Sequence, residues 1–277
     1  MASLTLEEEE PEEGSIVSKT FSIIRPFLQP GTKTTLESTA RSILEILPES
    51  DSRSSDIKMF AQACIEIAEQ IPYHHPSLIK LVDLLEDITP SPKFQFKQPQ
   101  MQHNGRYIRH QDLKESLTDL FTGPDEGRPG AYISFHAFSA QLDERRIVSR
   151  TDPSWAIFTH RDAFEGRRHF DKREGDEEAY VLVAAQYILW DGHSLFRQIL
   201  VLRQGDFDID ASDLRAWTPG PLYRGKPYLT VDRWHFWRDG YRAVAAEKKE
   251  ERYSQECRDV ATKAANLMEA LEKSLTF

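Results

Sequence analysis

Between Ile57 and Ile71 the apolar residues Ile57, Phe60, Ala61, Cys64, Ile65, Ala68 and Ile71 recur by threes and fours. That spacing lays them along one face of a 3.6-residue helix and does not fit the period of two of a half-buried strand. Ser54, Ser55 and Asp56 precede the stripe as candidate caps, and Pro72 ends it. A chain built from such stripes folds as packed helices.

The same pattern recurs on both sides. Ile16, Phe21, Ile23 and Ile24 predict a short first helix that Pro26 should kink or end. Leu36, Ala40, Ile43, Leu44 and Leu47 predict a second, capped by Thr34 or Thr35 and closed by Pro48. Pro76 suits the first turn of a fourth helix carrying Leu78, Leu81, Val82, Leu84 and Leu85 to Pro90. These four read as an antiparallel array. From Pro90 to His110 the prolines and glutamines indicate a surface connector, with a short extended piece where Phe94 and Phe96 alternate with polar residues.

Helices are expected again over about 111–121, 131–147 and 153–164, the last with Asp152 as cap, and a short one near 213–217. The longest spans 176–202. Its middle, from Ala179 to Trp190, is apolar on nearly every side, which marks a central helix wrapped by others. Gly192 is placed to kink it or to admit a close neighbour. Toward the C-terminus Trp234, Trp237, Tyr241, Val244 and Ala245 share one helix face, with His235, Asp239 and Arg242 opposite. In the last helix Cys257, Val260, Ala261, Ala264, Leu267, Met268, Leu271 and Leu275 form a core-facing stripe. No repeat of fixed period is present, which favours a globular bundle over a solenoid.

Charge and cysteine content exclude several classes of function. The net charge is −10, and six glutamates fall within the first thirteen residues. Residues 1–14 therefore read as a disordered acidic tail whose removal leaves the melting temperature nearly unchanged. Duplex nucleic acid, which requires a basic face, is not the expected partner. Cys64 and Cys257 alone make neither a disulfide framework nor a zinc-ligand spacing. With no signal-peptide pattern, and no apolar run near the ~20 residues a bilayer requires, no membrane is expected and the cytosol is the default, the nucleus remaining open.

Candidate chemistry concentrates in a few clusters, each with a plainer structural reading. In Arg233-Trp-His-Phe-Trp-Arg-Asp239, Trp234 and Trp237 either wall a ligand pocket or anchor the core, with Arg and Asp paired at the helix surface. Trp190-Asp-Gly-His193 places an acid and a histidine two apart, and so on different faces of a helix. His74 and His75 lack a third metal ligand. Cys64 and Cys257 lie on apolar faces, where a thiol packs as a small hydrophobe. The basic run from Gly166 to Arg173 is either an anion site or a solvated loop. There is no GxGxxG, P-loop, GxSxG or HExxH.

Pro221-Leu-Tyr-Arg-Gly-Lys226, Leu229-Thr230 and the segment from Arg233 to Gly240 resemble a family of filamentous ascomycete proteins known only as a domain of unknown function. The long helix with Trp190 and the closing helix ending at Phe277 fit the same pattern. The resemblance covers residues 175–277 and extends toward residue 55. It implies a fungal source and an all-helical fold, and carries no activity and no catalytic residue.

The reading is an all-α globular bundle of about ten helices over 15–277, with a possible subdivision into a 15–90 array and a 105–277 main bundle. Function divides in two. The first reading, which is preferred, is a helical protein–protein interaction module without catalysis, cofactor or metal. The alternative is an enzyme or small-molecule binder with a pocket between the 176–202 helix and the 219–245 segment. Trp190, His193, Tyr223, Lys226, Arg233, Trp234, His235, Trp237 and Asp239 would then line it. The two part on whether those side chains converge on one concavity.

Overall fold

The computed structural model describes residues 3–8, 12–48, 55–96, 108–109, 128–148, 153–166, 176–202, 217–248 and 252–275. Nine α-helices among them carry the fold, together with one two-residue antiparallel ladder, Gln95–Phe96 with Ile108–Arg109, which realises the short extended piece expected near Phe96. The chain divides into two compact units, residues 1–150 and 151–277. The helix expected at 111–121, residues 213–216 of the one expected near 213–217, the Asp152 cap and the basic run beyond Gly166 lie outside the described residues, and Trp217 is in a turn.

The first unit holds α1 (Ile16–Leu28), α2 (Leu36–Ile46), α3 (Ser55–Gln70), α4 (Pro76–Ile88) and α5 (Pro129–Glu144). Ser15 and Thr35 cap α1 and α2, accepting from the backbone N–H groups of Ser18 at 3.0 Å and Ser38 at 3.2 Å. All seven residues of the α3 stripe are buried, and Ala63 and Ile67 with them. Contact with α1, α4 and α5 accounts for that extra width. Helix α5 packs on α3 and α4 and belongs with this unit.

Pro26 does not end α1, which runs two residues further. The proline forfeits one i→i−4 hydrogen bond. Burial of Phe27 and Leu28 offsets that loss. The freed carbonyls at the helix end are also taken up from α4: Ser77 Oγ donates to Leu28, and Lys80 Nζ reaches Phe27 O at 3.5 Å and Gln29 O at 3.4 Å. Lys93 Nζ serves α2 in the same way at Leu44 O and Leu47 O.

The acidic segment at the start carries one residue that composition passes over. Leu6 is only 3% exposed. Polar clamps flank it: Gln29 holds Leu4 through both backbone groups, and Gln70 holds Glu7 likewise. Helix α5 is buried at every position from Tyr132 to Leu142, including Ser134, His136, Ser139 and Gln141. Full burial at all angles leaves no apolar stripe for periodicity to find.

The second unit holds α6 (Ser154–His160), a single π-helical turn (Arg161–Glu165), α7 (Asp176–Leu202), α8 (Val231–Ala246) and α9 (Gln255–Leu275). Helix α7 runs unbroken through Gly192, and α9 packs on both α7 and α8. A side chain at Gly192 would place its Cβ 3.3 Å from Leu271 Cδ1, so the glycine admits a close neighbour. On α9, Cys257, Val260, Ala261, Ala264 and Met268 are buried as expected, whereas Leu267 and Leu271 are half-buried at the edge of the stripe. No helix among the described residues is long and apolar enough to cross a membrane.

Candidate functional site

The polar centre of the second unit is assembled where α6 ends. After His160 the chain winds one π turn, and this carries Glu165 to full burial. Arg233 enters from the first turn of α8, on the same flank as Trp237 four residues on, and is equally buried. The two side chains meet as a fork: Arg233 Nε donates to Glu165 Oε1 at 2.7 Å and Nη2 to Oε2 at 2.9 Å.

The other hydrogen-bond partners of the pair are local. Trp237 Nε1 donates to Glu165 Oε1 at 2.7 Å, and the Gly220 backbone N–H to Oε2 at 2.9 Å. Arg233 Nη1 donates to the carbonyl of Trp217 at 2.9 Å. The Arg233 guanidinium also lies over the rings of Trp237 at 5.4 Å and Tyr223 at 5.7 Å. A carboxylate accepting four hydrogen bonds is held, not poised. Removing two charges from water costs several kcal/mol per ion, about what such a network returns. What the pair secures is geometry: it ties the 217–223 loop to α8 and to the end of α6.

Beside it sits a second buried pair. His160 Nδ1–H donates to Ala156 O at 2.6 Å, leaving Nε2 to accept from Tyr241 Oη at 3.1 Å. The imidazole stacks on Trp237, ring centres 4.3 Å apart. Burial, opposed by the bond to Ala156 and aided by the Arg233 charge, lowers the His160 pKa to about 3. Burial likewise raises the Tyr241 hydroxyl well above its usual value, so it stays a donor. A neutral histidine with both nitrogens engaged and no exposed atom is a core element, unsuited to proton exchange with a substrate.

The residues expected to line a pocket do not converge. Tyr223 and Arg233 touch, and Trp234 and Trp237 are fully buried anchors, Trp234 against Phe196 at 5.1 Å. The pairing of Arg with Asp at the helix surface is made by Arg238 and Asp239 at 2.9 Å, while Arg233 goes to Glu165. His235 does not stand alone: its Nε2 lies 2.8 Å from Glu272 of α9. Arg238 reaches Glu272 at 3.4 Å and Arg242 reaches Glu269 at 2.6 Å, so the polar face of α8 is stitched to α9. Trp190 is half-buried, Asp191 buried, and His193 and Lys226 exposed.

A solvent-open groove of ≈ 300 Å³ does lie between the start of α7 and the second half of α8. Phe164, Tyr180, Leu222, Ala243, Val244 and Tyr253 supply most of its apolar wall. On its rim Arg252 bridges Glu177 at 3.1 Å and Glu247 at 3.6 Å. None of the nine residues named from the sequence lines it.

Among the described residues no three of His, Cys, Asp and Glu are grouped to hold a metal. His75 caps α4, its Nδ1 accepting from Ser77 N at 3.2 Å. Burial, then the His74 and other nearby charges, lowers its pKa. Both thiols are buried. Burial raises the pKa of Cys64, and it pushes that of Cys257 up to about 12, aided by Glu178 and Glu256. Neither sulfur has the electropositive, accessible setting of a nucleophile.

Glu165 and His160 escaped the sequence reading. The one available signal was Arg233: on a flank it shares with Trp237, an arginine must be buried, and a buried guanidinium calls for a carboxylate. Which carboxylate is not written locally, since Glu165 lies 68 residues away.

The second unit is thus a helical domain organised on a buried ion pair, with an open groove beside it. The chain belongs to a family of proteins of unknown function, DUF3632, whose model matches residues 62–241 and so takes in both Glu165 and Arg233. That span takes in the extension of the resemblance toward residue 55 as far as residue 62, and leaves out the closing helix. Comparison with curated proteins and with solved structures finds no match.

Proposed function

We propose that the chain is a helical binding module that engages a protein partner and performs no chemistry of its own, with neither cofactor nor metal. The observation that carries this reading is the fate of its most reactive-looking side chains. Glu165, Arg233, Trp237, His160 and Tyr241 spend their donors and acceptors on one another and on the backbone, away from solvent. They work as a clamp for the 217–223 loop. A general acid or base has to reach a substrate, and these groups reach only each other. The net charge of −10 argues against duplex nucleic acid as the partner.

A second reading, a small-molecule binder, is favoured by the groove, whose volume suits a metabolite. Its wall is part apolar and part polar, and Arg252 on its rim is paired with Glu177 and Glu247. A thermal-shift screen of the purified chain against metabolites and metals, with EDTA as control, separates the two. The binding-module reading expects no shift. A metabolite that raises the melting temperature, and loses its effect when exposed Ala243 in the groove wall is changed to Glu, establishes the second reading instead.

A further inference from the structure

We infer that the loop from Pro221 to Lys226 is the docking edge of this module, and that its partner is an acidic segment carrying a large apolar anchor residue. The inference rests on the binding-module reading and names the partner's chemistry.

Leu222 is 55% exposed, the most exposed of the large hydrophobics among the described residues. Pro221, Arg224, Gly225 and Lys226 around it are exposed as well. Residues 221–230 contain two cations and no acid, within a chain of net charge −10. Arg224 and Lys226 form no ion pair among the described residues, whereas the guanidiniums of Arg238, Arg242 and Arg252 are all paired. An apolar tip flanked by two cations outside any ion pair, Lys226 lying 5.7 Å over the Tyr228 ring, is complementary to an apolar residue flanked by carboxylates.

The loop is also held in one conformation, although little of it is covered. Glu165 grips its start twice, accepting from Gly220 N with its side chain at 2.9 Å and from Leu222 N with its carbonyl at 3.0 Å. A Cβ on Gly220 would fall 2.3 Å from Glu165 O, so the close approach requires glycine. Tyr223 points inward, buried, with its hydroxyl 3.3 Å from Thr230 Oγ1 and its ring 5.2 Å from that of Phe236. Leu222, which also forms part of the groove wall, and Arg224 are thereby left exposed on a fixed base. A pre-ordered surface loses little conformational freedom on binding, which is where preorganisation strengthens association. The buried ion pair thus acquires a purpose that its own energetics do not supply.

The test is selection from a bead-displayed random-peptide library on the intact protein. The selected peptides are then measured against Leu222→Glu and the double variant Arg224→Glu/Lys226→Glu, both at exposed positions and both checked by circular dichroism and melting. Peptides rich in Asp and Glu around a large apolar residue are expected. Their affinity should fall as salt rises and drop at least about tenfold on each variant. Selection of basic or neutral peptides, or of none, overturns the partner chemistry. Acidic peptides that bind both variants as tightly as the native chain overturn the loop as the site and leave the module reading intact. That reading fails separately, on a stabilising metabolite whose effect Ala243→Glu abolishes.

Discussion

Glu165 and Arg233 stand 68 residues apart in the chain and meet at 2.7 Å with neither side chain exposed. One closes a π turn and the other opens a helix, and the loop between Trp217 and Tyr223 is fastened to both. Buried charge of this kind is replaceable as a pair and intolerant of loss on one side.

Glu165→Gln should therefore destabilise the second unit by about 3–5 kcal/mol, since it leaves a buried guanidinium without its counter-charge. The apolar pair Glu165→Leu/Arg233→Met should cost less than either single change. Denaturant unfolding of Glu165→Gln, of Glu165→Leu and Arg233→Met singly, and of the two together checks the order. A Glu165→Gln variant that unfolds like the native chain would mean that the pair is not buried in solution.

Stability should depend on pH through His160. Its folded pKa, about 3, lies below the unfolded value of 6.5. The unfolded chain thus binds the extra proton between those limits and the folded chain does not. The contribution is complete above about pH 6.5 and declines as pH falls toward 3, with about 2 kcal/mol lost between pH 7 and 5. His160→Asn, which does not titrate, should show a shallower decline over that interval whatever its starting stability. An unchanged slope would remove His160 from the account.

The stripe on α9 should respond unevenly. Met268→Asp places a charge at a fully buried position and should unfold the second unit, costing several kcal/mol. Leu267→Asp and Leu271→Asp, expected from the stripe alone to be as damaging, fall on half-buried positions and should cost less. Melting curves of the three variants distinguish the stripe's centre from its edge.

Leu6→Asp should lower the stability of the first unit by about 1.5–3 kcal/mol, the value of burying a leucine side chain. A double change of Gln29 and Gln70 to Ala should give part of that loss by releasing the backbone of Leu4 and Glu7. Melting temperatures equal to that of the native chain would restore the reading of residues 1–14 as a tail with nothing to bury.

What the amino-acid order determined by itself was local. The α3 stripe, the bounds of α7 at 176 and 202, a threonine cap on α2 at Thr34 or Thr35, Pro76 in the first turn of α4 and the buried face of α8 follow from spacing, capping chemistry and the proline ring. Each is decided within a few turns of backbone, so the residues that cause it are neighbours in the chain. The tertiary structure decided the rest: that α5 is buried all round, that Leu267 lies at the margin, that Leu6 is covered, and that Arg233 takes Glu165 as its partner. Helical spacing states which flank must avoid water, but not what will cover it. A buried guanidinium states that a carboxylate is needed, but any of 45 acidic residues satisfies that on paper. Only the path of the backbone, folding one π turn against the start of a distant helix, selects Glu165 and leaves Leu222 in the solvent.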